Sequence, residues 1–566
     1  MNLKEFVYSN IKDIAELNTV ENFQNLLINT IDSSLGDISL PCFTYAKALR
    51  KSPMQIATEF AELCKCENFS DVQAVNGYVN FYVNKEVFTK NVLNDALSQG
   101  VNYGKQNIGE DKVVLIDYSS VNLAKYMHIG HLGTTVIGNV IKNIYKFFGY
   151  KVFGLNYLGD YGTPFGKMIT GYLHYGSKED VESRGVDAIQ EYYVKFNQEV
   201  ENQPELMDEA RLWFKKIEDR DPEALEIYNW FIDISILEAK RIYKLLNITF
   251  DDWTGEAYYN DKMGPVISEL ENSNLLKTSE GAKVVDLENY NLGTCLILKS
   301  DGSSLYATRD LAAVQDRYNK YNFDKCLYVT DVAQKLHFAQ WFKVCDLLGK
   351  PYANNLKHIY YGRYSLPTGK IGSRYGKQAL ISDMINLSFE KAKEIMLTRG
   401  TKVEDVDKIA MDIAIGAICF GVVRNEKTKD SVFDLEKALS FEGETSPYLQ
   451  YTFARCNSII EKCRVADNDI KLTSDITDIV DSTTFELVKH INNYTETLLN
   501  ALNGEEPSVI SKYLINLCSL FNRFYNEHRV IENDTVNLNR VAVVKAVKDI
   551  LFSGLSILGI SAIEKM

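Results

Sequence analysis

This chain of 566 residues lacks the features that would direct it to a membrane or to export. No uninterrupted apolar run approaches the roughly 18 residues that a membrane-spanning helix needs. The opening segment, Met1-Asn-Leu-Lys-Glu-Phe, is not a basic stretch followed by an apolar one, so no secretory signal is expected. The ten cysteines are scattered, and none has the paired spacing of a zinc site. We therefore expect free thiols in a reducing cytoplasm and no resident metal.

The chain also lacks internal repeats, low-complexity segments and a phosphate-binding Walker A motif. The nearest candidate, Gly362 to Lys370, has the wrong spacing and no Ser or Thr after the lysine. A net charge of −14 gives no general attraction for nucleic acid. Small basic clusters occur near Lys47 and near Arg455, but each is also typical of a solvated helix face. The charge balance by itself therefore neither indicates nor excludes an RNA partner.

What the chain does contain is an ordinary globular composition, with 46% hydrophobic and 24% charged residues. Its length suggests roughly three or four domains. The patterns predict a small α/β unit over residues 1–108 and a larger α/β domain over 109–385. A charged, mostly helical insertion is expected at about 165–285, and residues 386–566 are almost wholly helical in pattern.

A β-α-β unit is the clearest local prediction. Val113–Ile116 is a continuous apolar run typical of a buried parallel strand, and Lys151–Tyr157 predicts the next strand. Apolar residues recur at helical spacing from Leu132 to Phe148 between them. Thr294–Leu298 and Lys325–Val329 predict further parallel strands, and Val75–Val83 predicts a strand in the small unit.

Two histidines and a glycine lie at the start of the predicted crossover helix: His128, Gly130 and His131. Backbone N–H groups and the positive end of the helix dipole suit a phosphate there, and the glycine permits close approach of a ligand. A pair of surface histidines at a helix start is the plainer interpretation. The chain has only seven histidines, however, and two of them occupy this position.

The surrounding segment, Asp117 to Gly133, resembles the ATP-binding signature of class I aminoacyl-tRNA synthetases. Its Ser-Ser-x-Asn-x-Ala-Lys run, which ends at Lys125, is similar to the arginyl-tRNA synthetase version in particular. The resemblance implies that ATP binds at Gly130 and the two histidines, with Lys125 as a nearby positive charge, and that His128, His131 and Lys125 take part in catalysis.

A second segment, Gly362 to Lys377, resembles the second class I signature, the Lys-Met-Ser-Lys-Ser loop. Lys370 matches its first lysine, and Arg374 is a further cation. The methionine is replaced by Ile371 and the second lysine by Ser373. The resemblance therefore implies that Lys125 supplies the missing positive charge, with Lys370 and Arg374 as catalytic candidates on the loop.

The amino-acid site is expected from three further resemblances to the arginyl family. Tyr306 and Asp310 match its Tyr-x-x-Arg-Asp segment, and on a helix they would lie one turn apart on one face. Gln334 matches the glutamine of the next family segment. Ser120 and Asn122 would hold the amino and carboxylate groups of arginine, with Asp117 nearby. In Gly159–Gly166, Tyr161 and Pro164 replace the family's Trp and Gln, so no role for that glutamine is carried over.

The end regions also resemble this family. Phe441 to Ile459 is similar to its helical anticodon-binding domain, which implies tRNA contacts for Tyr448, Gln450 and Arg455, although a packed helix-bundle core would show the same aromatic pattern. Residues 1–108 resemble the added domain that contacts the tRNA corner. The implied fold is a Rossmann-like parallel-sheet catalytic domain between an N-terminal α/β domain and a C-terminal helical stem-contact and anticodon-binding domain.

The resemblance implies an arginine–tRNA ligase reaction: arginine and ATP form arginyl-adenylate, and the arginyl group passes to the 3′ end of tRNA(Arg). It further implies Mg²⁺ with ATP, no tightly bound cofactor, binding of tRNA before activation, and a cytoplasmic monomer. Two alternatives remain open at this point. One is a related nucleotidyl transferase that uses a different acid, and the other is a tRNA-binding relative without activity.

Overall fold

The computed structural model describes residues 3–30, 33–123, 125–300, 306–367, 379–399 and 403–566. Within these ranges no helix combines the length and the apolar character that crossing a membrane requires.

The N-terminal region is an antiparallel sheet of order β1-β2-β4-β3 packed with helices. Its elements are α1 (Leu3–Ile11), β1 (Ile28–Asn29), β2 (Ile38–Pro41), α2 (Ala46–Leu49), α3 (Pro53–Leu63), β3 (Phe69–Val75), β4 (Tyr78–Val83) and α4 (Lys85–Gln99). The strand predicted from Val75 to Val83 is confirmed for Tyr78–Val83, which is β4, but its first residues belong to β3 and to a turn. Asn76 and Gly77 both have positive φ, 52° and 83°, and form the tight turn between β3 and β4.

A four-stranded parallel sheet of order β11-β10-β5-β6 carries the β-α-β unit, and it confirms the predicted fold class. Its elements are β5 (Val113–Asp117), α5 (Leu132–Phe147), β6 (Lys151–Leu155), β10 (Lys325–Asp331) and β11 (Leu356–Tyr361). Helix α5 is buried on nearly every side. Its glycines allow this packing, because a Cβ at Gly133 would lie 2.4 Å from the ring of Tyr361.

Six helices follow β6 along the chain: α6 (Thr163–Tyr175), α7 (Lys178–Arg184), α8 (Val186–Glu199), α9 (Leu206–Glu218), α10 (Pro222–Leu245) and α11 (Met263–Asn272). A three-stranded antiparallel sheet follows, with β7 (Leu276–Ser279), β8 (Ala282–Asp286) and β9 (Thr294–Leu298). The prediction that Thr294–Leu298 joins the parallel sheet is therefore wrong. Alternate residues of β9 are buried, as expected for a strand with one covered face. Helices α12 (Tyr306–Tyr321) and α13 (Lys335–Leu347) complete the region.

The remaining chain is helical apart from short strand pairs. Its elements are β12 (Tyr364–Ser365), α14 (Ile381–Thr398), α15 (Val406–Val423), β13 (Ser431–Val432), α16 (Leu435–Ala438), α17 (Ser446–Cys463), α18 (Ser482–Asn492), α19 (Tyr494–Gly504), α20 (Ser508–Glu527), β14 (Ile531–Glu532), β15 (Thr535–Val536) and α21 (Leu538–Ile557). Helix α21 is central: the amide of Asn143 on α5 donates to its Ile557 carbonyl, 3.1 Å away. The helical region also contacts the N-terminal region, where Phe88 of α4 packs against Phe485 of α18 with ring centroids 5.6 Å apart. The helical region therefore packs against both other regions.

Candidate active site

A cleft of about 600 Å³ opens at the carboxyl ends of β5 and β10. This is the edge at which open parallel sheets bind their ligands. Most residues predicted for the site line it: Asp117, Ser120, Asn122, Gly130, His131, Tyr306, Asp310 and Gln334. His128 adjoins it beside His131, whereas Lys125 lines a small neighbouring cavity. Lys370 and Arg374 lie outside the described residues.

The two histidines form a hydrogen-bonded turn immediately before α5. The Gly130 N–H donates to Nδ1 of His128, and the His128 N–H donates to Nδ1 of His131, each over 3.1 Å. Burial lowers the pKa of both imidazoles, to about 4 for His131, where His128 adds to the effect. Because each Nδ1 accepts a hydrogen bond, the proton of the neutral ring is on Nε2. The pair can therefore offer two uncharged N–H donors to a phosphate.

The chain that follows the second signature segment is hydrogen-bonded to this turn. The Ile129 N–H donates to the Ala379 carbonyl, and the Ile381 N–H donates to the Met127 carbonyl, each over 2.9 Å. Lys125 is exposed, and its Nζ lies 5.7 Å from the ring centroid of Tyr193 on α8. It is also close enough to His128 to contribute to the lowered pKa of that imidazole.

Tyr306 and Asp310 lie one turn apart on α12 and face the cleft, as the segment predicts. Tyr306 begins the helix with 67% of its surface exposed. Asp310 is less exposed, and its Oδ2 accepts a hydrogen bond from Nε2 of His337 over 2.6 Å. Gln334 is exposed at the turn before α13. These side chains offer a carboxylate, an aromatic face and an amide to one ligand.

Asp117 is buried and holds other residues in place. Its Oδ2 accepts from Arg317 over 2.8 Å, and its Oδ1 accepts from the Ser120 hydroxyl over 2.8 Å. Ser119 and Ser120 have positive φ, 70° and 46°, which is unusual for residues other than glycine. The Thr134 hydroxyl accepts from the Ser119 N–H over 2.8 Å. These bonds hold the strained turn that presents Ser120 to the cleft.

Sequence reasoning missed Glu256, Arg309 and His337, all of which line the cleft. Arg309 donates to Glu256 over 3.0 Å, and its guanidinium lies 4.7 Å from the ring centroid of Tyr161. Burial is the main cause that raises the pKa of Glu256 to about 7. Arg309 lowers that pKa, while Asp310 and Asp160 raise it. Arg309 and His337 stood inside recognised segments, whereas no spacing or motif marked Glu256.

Three family models match consecutive parts of the chain. They are the catalytic domain of class I (R) tRNA synthetases over residues 92–435, the arginyl-tRNA synthetase N-terminal domain over 1–83 and the DALR anticodon-binding domain over 449–566. This chain belongs to the class I arginyl-tRNA synthetases.

Curated relatives and solved structures agree with that membership. The synthetase is 45% identical over 537 residues to an arginine–tRNA ligase of Alkaliphilus metalliredigens, covering 94% of each chain. It is 41% identical over 568 residues to that of Clostridium perfringens, covering 100% of each. The arginyl-tRNA synthetases of Thermus thermophilus and Plasmodium falciparum share its fold, with TM-scores of 0.77 and 0.79 at 23% and 21% identity. Both alignments cover 100% of this chain and 99% of the other.

The residues that this synthetase was predicted to use for tRNA lie on two faces of α17. The Arg455 guanidinium lies 4.8 Å from the ring centroid of Tyr451, and it donates to Asn522 over 2.7 Å. Asn522 in turn donates to the Tyr448 hydroxyl over 2.9 Å. Gln450 instead faces the bundle interior with 0% exposure, and its amide donates to the Ser561 carbonyl over 3.0 Å. Tyr448 and Arg455 thus remain accessible, whereas the predicted tRNA contact of Gln450 has no exposed surface.

Proposed function

We propose that this synthetase ligates L-arginine to tRNA(Arg) at the expense of ATP. A carboxylate oxygen of arginine attacks the α-phosphorus of ATP, which forms arginyl-adenylate and releases pyrophosphate. A ribose hydroxyl of the terminal tRNA nucleotide then attacks the carbonyl carbon, which gives arginyl-tRNA and AMP. The observation that carries the proposal is that the Asp310 carboxylate and the donor pair at His128 and His131 meet at one cleft.

The charges in the cleft favour a cationic amino acid. Asp117 is paired with Arg317, and Glu256 is paired with Arg309. Asp310 has no lysine or arginine partner among the described residues, so its charge remains for the guanidinium of the substrate. Tyr306 offers a ring face and Gln334 an amide beside it. In this proposal Ser120 and Asn122 receive the amino and carboxylate groups.

Positioning and charge stabilisation account for the chemistry at the ATP end. Neutral Nε2–H groups of His128 and His131 donate to phosphate oxygens, and the N-terminus of α5 adds its dipole. Lys125, Lys370 and Arg374 supply positive charge as the phosphate negative charge develops. Mg²⁺ enters as part of the ATP substrate. The lowered pKa of the half-buried His131 imidazole supports a hydrogen-bonding role, since proton donation near pH 7 would require a higher pKa.

The tRNA contacts are assigned to the two outer regions. Residues 1–108 contact the tRNA corner, 109–385 perform catalysis, and 386–566 contact the stem and the anticodon. The exposed ring of Tyr451 with Arg455 against it supports stacking of an unstacked base. We further infer that tRNA binds before activation and that the enzyme acts as a monomer in the cytoplasm, in keeping with its free cysteines.

ATP–pyrophosphate exchange, measured with each amino acid in turn and with tRNA present, tests this proposal. Exchange should depend on arginine and remain at background with lysine, glutamine and citrulline. Exchange driven by another amino acid would identify a different member of the superfamily. Exchange with none of them, in a protein that still binds tRNA, would indicate a relative without activity.

A further inference from the structure

A hydrogen bond joins His337 and Asp310 in the cleft. His337 Nε2 lies 2.6 Å from Oδ2 of Asp310, and both side chains line the cleft. An ionised carboxylate can accept hydrogen bonds but cannot donate them, so the imidazole must be the donor. His337 follows Gln334 by three residues across the start of α13. The bond therefore joins the α12 and α13 parts of the arginine site.

The partner of Asp310 differs in kind from the partners of the other carboxylates in the cleft. Asp117 and Glu256 are each paired with an arginine side chain. Asp331 accepts from a backbone N–H, that of Ala333, over 2.8 Å. Unlike a lysine or an arginine, an imidazole can donate a hydrogen bond without carrying a positive charge, so it can fix the position of a carboxylate without cancelling its charge. A lysine or arginine in the same place would neutralise Asp310 and compete with a cationic substrate.

We propose that His337 is a positioning residue for arginine recognition: it holds Oδ2 of Asp310 by a hydrogen bond from a side chain without a permanent charge, which leaves the negative charge for the guanidinium. This inference rests on the proposed arginine site. It requires two properties of residue 337, a donor at the Nε2 position and the absence of a permanent positive charge.

Three variants separate these properties, measured by arginine-dependent exchange with tRNA present at about pH 8. His337→Gln keeps a neutral donor at the position of Nε2, so the KM for arginine should stay within about threefold of the wild-type value. His337→Leu removes the donor and should raise that KM by about tenfold or more. His337→Lys keeps a donor but adds a charge, so its KM should also rise by about tenfold or more. The KM for ATP and kcat should change little in all three.

A matched control is the His174–Glu209 pair, a histidine–carboxylate contact of 2.8 Å on the inserted helices. His174→Leu should leave the KM for arginine unchanged. Thermal melting of each variant shows whether it folds. If His337→Leu does not fold, the Gln and Lys variants still decide the charge requirement, because both retain a polar donor and differ in charge.

Equal arginine KM values for the Gln and Leu variants would overturn the donor role, and equal values for the Gln and Lys variants would overturn the charge role. A loss confined to kcat or to the KM for ATP would also refute the inference. Wild-type protein without arginine-dependent exchange would instead refute the proposed function, which keeps the two failures distinct.

Discussion

Arginine binding should strengthen as the pH rises through about 7, because Glu256 titrates in the cleft. Its side chain is 20% exposed and lies 3.0 Å from Arg309. Burial raises its pKa from the ordinary value of 4.5 to about 7. When Glu256 is protonated, the positive charge of its partner Arg309 is no longer compensated and opposes a bound guanidinium. Arginine binding therefore favours the ionised carboxylate and displaces the proton. Binding is therefore coupled to proton release.

The size of the effect follows from the pKa. If only the ionised form binds well, the apparent Kd should be about tenfold higher at about pH 6 than at about pH 8, or about 1.4 kcal/mol. The same shift has an opposite consequence for the ligand-free protein. The folded state holds this proton more tightly than the unfolded chain, so the contribution to stability is complete below about pH 4.5 and is lost as the pH rises through about 7.

Isothermal titration of arginine, in buffers with different ionisation enthalpies, measures both the affinity and the released protons. Glu256→Gln should bind more weakly at about pH 8 and lose most of the pH dependence between about pH 6 and 8. Asp549 on α21 is a matched control, since burial also raises its pKa away from the cleft. Asp549→Asn should keep the wild-type pH dependence. An affinity that does not change with pH, or a Glu256→Gln variant that retains the change, would refute this reasoning.

Three further predictions concern binding and packing. Asp310→Ala should lower arginine-dependent exchange by about a hundredfold or more, because removing one partner of a buried charge pair costs roughly 3–5 kcal/mol; an unchanged rate would exclude Asp310 from the arginine site. Gly166→Ala should destabilise the chain by about 1–3 kcal/mol in urea unfolding, since its Cβ would lie 2.0 Å from the Ala210 carbonyl oxygen. Gly264→Ala, with nothing within 4 Å, is the control and should not destabilise it. Arg455→Ala should raise the KM for tRNA and leave the KM for arginine unchanged, and equal changes in both would contradict a tRNA role.

The β-α-β unit and its phosphate-ready turn could be predicted because their signals are local. The apolar run of β5 and the helical spacing of α5 are each complete within a short window. The turn at Asn76-Gly77 was missed because the alternation of polar and apolar residues is typical of one continuous strand. Asn-Gly is itself a strong turn signal. Strand β9 is only five residues long, too short for an apolar run to separate parallel from antiparallel pairing.

Sequence patterns could not predict which side chains contact each other across the cleft. Glu256 and Arg309 are 53 residues apart along the chain. They meet because α12 packs against the 3-10 turn Glu256–Lys262. The contact between Asp310 and His337 likewise spans 27 residues. Gln450 is a different case, because helical spacing does separate it from Tyr448, Tyr451 and Arg455. Applying the 3.6-residue period within α17 would have placed Gln450 on the buried face.

Charging of unfractionated tRNA, with purified protein, ATP, Mg²⁺ and one labelled amino acid at a time, shows directly which amino acid this synthetase attaches. Arginine alone should become attached to tRNA, and His131→Ala and Asp310→Ala should each abolish most of the attachment while the protein remains folded. Attachment of another amino acid, or no attachment of arginine by folded wild-type protein, would contradict the proposed function.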